Sequence, residues 1–216
     1  MSSEVTNPAA VVTVQSLAVS YSSVVVLDNV DLAVAGGAAL ALMGENGAGK
    51  STLLRCIAGM QEPTGGDVRV FGEVPGRSLD FWRQVATTVE SPTWYHGLTV
   101  REHLELVRMA NGGDPADGYI DEVCHALGLT GLGAGVPSTL SSGQRQRFLL
   151  TAALVRPSRL LLLDEPEQRL DTSIKRAVAA HLAAYVTDGG TVLMASHDEE
   201  FVKSVGALTF LVGGER

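Results

Sequence analysis

The chain has 216 residues, enough for one domain with a substantial core, and its 45% hydrophobic and 19% charged content is that of an ordinary globular protein. A formal charge of −8, from 24 acidic against 16 basic residues with no basic run, argues against direct binding to a nucleic-acid backbone. No stretch approaches 18 consecutive apolar residues and the first ten residues lack a basic-then-apolar leader, so neither a bilayer span nor a signal peptide is expected.

Residues 1–10 read as a frayed polar tail. Valine-rich, partly alternating segments at 11–21 and 24–34 predict two strands, and Gly36-Gly37 turns into a third at 38–43. A Gly-rich loop follows, then a helix over 51–58, a turn at 62–67 and a short strand at 68–71. Phe81 and Trp82 mark a short helix before a strand-like 85–89. The pattern is then helical from 99 to 128, with a break at Asn111-Gly112-Gly113, and a second Gly-rich loop leads to a helix starting near Ser142. From residue 156 strand and helix alternate again: strand 160–164, helix 173–186, strand 191–195, helix 198–205 and a last strand at 207–212. With Gly44 to Thr52 forming a G-x-x-x-x-G-K-[ST] loop between strand and helix, the expected fold is α/β, a P-loop NTPase core made of residues 1–90 and 156–216 with a helical subdomain, 91–155, inserted in it. Cys56 and Cys124 have neither metal-type nor disulfide-type spacing, which fits a reduced, cytoplasmic setting.

Three motifs carry chemistry. Gly44-Glu45-Asn46-Gly47-Ala48-Gly49-Lys50-Ser51-Thr52 is a G-x-x-x-x-G-K-[ST] loop lying between a strand and a helix, the context that gives the pattern meaning. Its glycines let successive backbone N–H groups point into one concavity, and the helix adds its positive end. Lys50 would reach the β- and γ-phosphates and Ser51 would offer its hydroxyl to Mg²⁺, which makes this a nucleoside triphosphate site. The second motif is Leu160-Leu161-Leu162-Leu163-Asp164-Glu165, a strand apolar on both faces that delivers two carboxylates at its C-terminal end. Alone it reads as a strand meeting its exit turn; beside the phosphate loop, Asp164 becomes a metal ligand and Glu165 the group that polarises the attacking water. The third is Leu140-Ser141-Ser142-Gly143-Gln144, in which Ser142-Gly143 opens a helix and so offers a second phosphate-binding N-terminus or, more simply, a capped helix start.

With these motifs in this order, the chain resembles the nucleotide-binding domain of ABC transporters from about residue 11 to residue 212, Leu140 to Gln144 matching the family's Leu-Ser-Gly-Gly-Gln signature. The resemblance implies Mg²⁺-dependent ATP hydrolysis by a head-to-tail dimer, homodimer or heterodimer, with two ATP molecules held between the chains and an integral membrane subunit driven by closure. Tyr21 matches the aromatic that stacks on adenine, His197 the histidine that contacts the γ-phosphate, and Asp171 the aspartate that crosses to the partner chain. Ser142, Gly143 and Gln144 would meet the γ-phosphate held by Lys50 of the other copy. The chain is therefore expected on the inner face of a membrane, held there by its partner. It stops soon after the last strand, so the accessory C-terminal domain of some importers is expected to be missing. Glu90-Ser91-Pro92 followed by Leu98-Thr99-Val100 looks like compact bacterial exporter ATPases.

Two positions depart from the family. Glu90 stands where a glutamine commonly binds Mg²⁺ and water, and would add a third carboxylate around the ion. Glu167-Gln168-Arg169 brings charge to a stretch that is more often uncharged before Leu170-Asp171. Trp94, Tyr95 and His96 either face the membrane partner or pack inside the helical segment. A soluble ABC-type ATPase that switches a non-transport assembly is the alternative function.

Overall fold

The structure is a computed structural model that describes residues 10–89 and 94–213. Strands β1 (Ala10–Tyr21), β2 (Val24–Ala35) and β4 (Gly65–Val70) form an antiparallel sheet in the order β2-β1-β4. Strands β3 (Ala39–Met43), β5 (Val85–Thr87), β6 (Leu160–Asp164), β7 (Thr191–Ala195) and β8 (Leu208–Leu211) form a parallel sheet in the order β5-β6-β7-β3-β8. The segment 68–71, read from sequence as one more short strand, thus begins earlier and belongs to the antiparallel sheet with β1.

The central parallel strands β3, β6 and β7 are almost wholly apolar and buried because both of their faces are covered. Leu161, Leu163, Val192 and Met194 face one core, which they share with helices α3 (Val100–Ala110), α4 (Tyr119–Ala126), α5 (Ser142–Leu154), α6 (Thr172–Thr187) and α7 (Glu199–Val205). Leu160, Leu162, Leu193 and Ala195 face the other, which is closed by α1 (Lys50–Ile57), α2 (Leu79–Gln84) and the antiparallel sheet. Helix α1 lies between the two sheets, burying Leu53, Leu54, Cys56 and Ile57. Each such aliphatic side chain contributes about 1.5–3 kcal/mol on burial, so α1 and the loop ahead of it have little freedom to move.

The helical pattern at 99–128 resolves into two helices, α3 and α4, and residues 137–139 add a 3₁₀ turn, Pro137–Thr139, that the sequence did not reveal. Leu104, Ile120, Val123, Leu127 and Phe148 of this segment pack in the same core as β6 and β7. Helices α3 and α5 each begin with a capping box. Thr99 Oγ1 accepts from the Glu102 N–H at 3.2 Å while Glu102 Oε2 accepts from the Thr99 N–H at 2.7 Å. In α5, Ser141 Oγ accepts from the Gln144 N–H at 3.3 Å and Gln144 Oε1 accepts from the Ser141 N–H at 2.8 Å. Among the described residues, no helix is long and apolar enough to cross a membrane.

Candidate functional site

The end of β3, the start of α1 and the end of β6 converge on one cavity of about 170 Å³, lined by Val26, Asn46, Gly47, Gly49, Lys50, Ser51, Thr52 and Glu165. It sits beyond the C-terminal ends of the parallel strands, where α/β sheets present their ligands. Helix α1 starts without a side-chain cap, its N-cap being Gly49 at φ +96°. The first N–H groups of α1 therefore have no side-chain cap acceptor and favour an anion. Gly49 is required twice over, since a Cβ there would meet Leu27 Cδ2 at 2.6 Å as well as straining the backbone. Lys50 is buried, and its Nζ donates to the carbonyls of Gly44 and Glu45 at 2.8 Å each, which folds the loop around the ammonium group.

The Asp164 carboxylate, at the end of β6, lies beside Ser51 of the cavity lining. Burial pushes the Asp164 carboxyl above its ordinary range; Ser51 opposes the shift, neighbouring Glu165 adds to it, and Arg55 and Lys50 oppose it. The Asp164 N–H donates to Thr88 Oγ1 at 3.1 Å, which fixes the strand end in place. Ser51 and Asp164 form a pair of hard oxygen donors, the donor type that suits Mg²⁺. Among the described residues there is no group of three or more His, Cys, Asp or Glu arranged to hold a metal. Glu90, expected as a further ligand, lies outside the described residues.

Glu165 follows with a left-handed backbone, φ +46°, an uncommon conformation for this residue type, and its N–H donates to the Ala195 carbonyl at 2.9 Å. Its Oε2 accepts from the Gln168 side-chain amide, and its Oε1 lies 3.6 Å from Nδ1 of His197, just past the end of β7. The Glu165 carboxylate, the Lys50 ammonium group and the Ser51 hydroxyl thus line one cavity, with Asp164 beside Ser51 and the His197 imidazole beside Glu165.

Other residues singled out from the sequence lie away from this cavity within the single chain. Gly44 ends β3 against the backbone of Val212, and Ala48 lies in a groove with Asp28, Phe210 and Gly213. Tyr21, at the exposed end of β1, donates its hydroxyl to Gln61 Oε1 at 3.2 Å. Ser142, Gly143 and Gln144 open α5, with Ser141 rather than Ser142 as the cap. A Cβ on Gly143 would sit 3.4 Å from the Arg169 carbonyl, so the start of α5 abuts the chain just past Gln168. Asp171 caps α6, accepting from the Ile174 N–H at 3.0 Å and the Ser173 hydroxyl at 2.7 Å. The aromatic stretch divides: Trp94 packs toward Phe148 with the Arg145 guanidinium 5.4 Å from its ring centre, whereas Tyr95 and His96 are exposed. Sequence reasoning missed Val26, Ser196 and the buried state of Glu167, whose Oε1 accepts from Ser196 Oγ at 2.6 Å.

A Gly-rich loop cradling a lysine, with a hydroxyl at the start of the following helix beside a carboxylate at the end of a parallel strand, defines a P-loop nucleotide-binding protein. The family model described as ABC transporter matches residues 27–168, and the chain belongs to that family. It is 37% identical over 212 residues to a "Putative ABC transporter ATP-binding protein" of Streptomyces avermitilis, a match covering 95% of this chain and 37% of the relative. It is 34% identical to the "Sulfate/thiosulfate import ATP-binding protein CysA" of Thermosynechococcus vestitus, covering 88% of this chain and 57% of that protein. The "SkfA peptide export ATP-binding protein SkfE" of Bacillus subtilis is 33% identical, with 88% of this chain and 80% of that protein covered. The chain therefore spans between about a third and four-fifths of these relatives' length. Among solved structures, an "ATP binding subunit of ABC transporter" superposes with a TM-score of 0.82 at 26% identity, covering 94% of this chain and 85% of the other.

Proposed function

We propose that the chain is an ATP-binding, ATP-hydrolysing motor subunit of a membrane transporter, working as a head-to-tail dimer on separate membrane-spanning chains. The observation that carries the reading is the cavity lined by the glycine-rich loop, Lys50, Ser51 and Glu165, with Asp164 beside Ser51 and His197 3.6 Å from Glu165. In this reading the N–H groups of Asn46 to Thr52 and the Lys50 ammonium bind the phosphates, and Tyr21 receives the adenine. Ser51 and Asp164, with Glu90, hold Mg²⁺, which when bound neutralises phosphate charge. Glu165 orients water for in-line attack and accepts its proton, and His197 contacts the γ-phosphate.

The dimer is supported by where Ser142 and Gly143 lie. They do not line the cavity of their own chain, so a phosphate contact from them requires a second copy. Residues 91–155 are the helical subdomain through which the membrane subunit docks, and exposed Tyr95 and His96 belong to that surface. In this reading the chain sits on the inner face of a membrane through its partner. Relatives whose names specify import and export match about equally well, and the proposal therefore leaves the direction of transport open.

Steady-state ATP hydrolysis with and without Mg²⁺ tests the chemistry, and Glu165→Gln with ATP tests the dimer by light scattering. Mg²⁺-dependent turnover, and a dimer that accumulates only in Glu165→Gln with ATP, are the expected results. Absence of turnover would refute the motor reading. Affinity purification from gently solubilised membranes then tests the partner: recovery with soluble proteins alone would favour a switch ATPase over a transporter.

A further inference from the structure

Glu167 lies three residues past Asp164 and is 1% exposed, an unusual place for a carboxylate. Burying such a group is costly unless hydrogen bonds hold it. Its Oε1 accepts from Ser196 Oγ at 2.6 Å and faces the His197 N–H at 3.4 Å. The Ser196 hydroxyl in turn accepts from the Asp198 N–H at 3.1 Å, and the Ser196 N–H donates to the Leu42 carbonyl on β3 at 3.2 Å. One carboxylate therefore ties together three consecutive residues of the turn after β7, and that turn carries His197.

The imidazole faces the same group. Nδ1 of His197 lies 3.8 Å from Glu167 Oε1 and 3.6 Å from Glu165 Oε1. Lys175 of α6, on which Glu167 acts, is engaged by Asp198 at 2.7 Å, with Glu200 of α7 also acting on it. Glu167 Oε2 is buried with no hydrogen-bond partner among the described residues, so the carboxylate is held through Oε1 alone, the atom that faces Nδ1. In a histidine whose Nδ1 faces carboxylates, the proton resides on Nδ1 and the ring orientation is set with it.

We propose that Glu167 is a positioning residue for His197: it clamps the 196–198 turn and, with Glu165, keeps the imidazole proton on Nδ1, leaving Nε2 as the nitrogen available to the phosphate. The role in turnover rests on the ATPase reading above; the placement of the proton does not. Glutamine at 167 retains a carbonyl acceptor for Ser196 without the charge, whereas leucine removes both.

The test is ¹⁵N-imidazole NMR of the full chain, with the His197 signal assigned by His197→Gln, run alongside ATPase kinetics. In the parent protein His197 should show the Nδ1–H tautomer. Glu167→Leu should move it toward the Nε2–H form and lower kcat by about ten- to a hundredfold with KM for ATP changed by no more than about twofold. Glu167→Gln should lie between the two. If Glu167→Leu fails to fold, Glu167→Gln carries the test, because it removes the charge that faces Nδ1 while keeping an acceptor for Ser196. An unchanged tautomer in these variants overturns the proposal, even if kcat falls, since Glu167 would then only fold the turn. A parent protein that hydrolyses no ATP refutes the ATPase reading, while the tautomer still decides the placement of Glu167.

Discussion

Gly44→Ala and Gly47→Ala change the same loop by the same methyl group and should differ sharply in stability. Gly44 has φ +141°, and a Cβ there would lie 2.5 Å from the Val212 backbone oxygen, an atom held by the Val212 N–H bond to the Met43 carbonyl at 2.8 Å. Neither partner can yield without moving the end of β3 or the chain just past β8. The strained backbone costs about 1–3 kcal/mol, and a forced contact in a packed region about 1–3 kcal/mol more. Gly47 has φ +85° and no atom within 4 Å of the added Cβ, so it carries only the left-handed penalty of about 1–2 kcal/mol. For a chain of this size each kcal/mol lowers the melting temperature by roughly 2–4 °C. Gly44→Ala should therefore fall by about 10 °C and Gly47→Ala by about 4 °C, a gap of about 2 kcal/mol. Denaturant titration of both variants without nucleotide, with m-values compared to ensure that the midpoints report stability, measures the difference. Equal losses, or a larger loss at Gly47, would refute the claim that contact with the chain after β8 fixes the start of the loop.

The remaining predictions concern other parts of the molecule. Burial lowers the His181 pKa below its ordinary value, with Nε2 2.9 Å from the Tyr119 hydroxyl. The unfolded chain therefore binds a proton that the folded chain resists, so this stability is present above about pH 6.5 and is lost as pH falls below it. His181→Gln should flatten that part of the stability–pH profile, and an unchanged profile would show that other groups govern it. Burial raises the Cys56 thiol to about 11 and also raises Cys124, so both should label slowly with a thiol reagent in the native protein and promptly in denaturant. Fast native labelling of Cys56 would contradict its place on the buried face of α1. Phe148, 3% exposed and edge-on to His103 at 6.0 Å, should cost about 3–5 kcal/mol on change to alanine. A loss under about 1 kcal/mol would mean that the helices close the cavity by repacking.

The phosphate loop was legible because its motif is contiguous: strand, glycines, lysine and helix follow one another in the chain. Leu160 to Asp164 was legible for the same reason, since four leucines in succession fit only a strand covered on both sides. What the sequence hid depends on residues far apart in the chain. Glu167 reads as one charge in an exit turn, and its burial comes from Ser196, 29 positions on, at the end of a neighbouring strand. The pairing of β4 with β1 has no local signature, because alternation marks a strand without naming its neighbour. Gln144 and Asp171 carry two meanings at once. A family motif assigns them to a second copy, while local hydrogen bonding makes them caps of their own helices. Trp94 and Tyr95, adjacent and both aromatic, are divided by the direction of one peptide, which composition does not encode.

The capping box at the start of α5 bears on how two copies would meet. Because Ser141 and Gln144 already satisfy one another, the helix start needs no partner to take shape. A surface ordered in advance loses little conformational entropy on contact, so more of the contact energy is left for closure itself. The docking of Ser142-Gly143 would then resemble a rigid key entering a lock more than a loop folding onto its target. Its rate would be set by how often two chains align, and a change at Ser141 would slow assembly without touching the phosphate-binding groups.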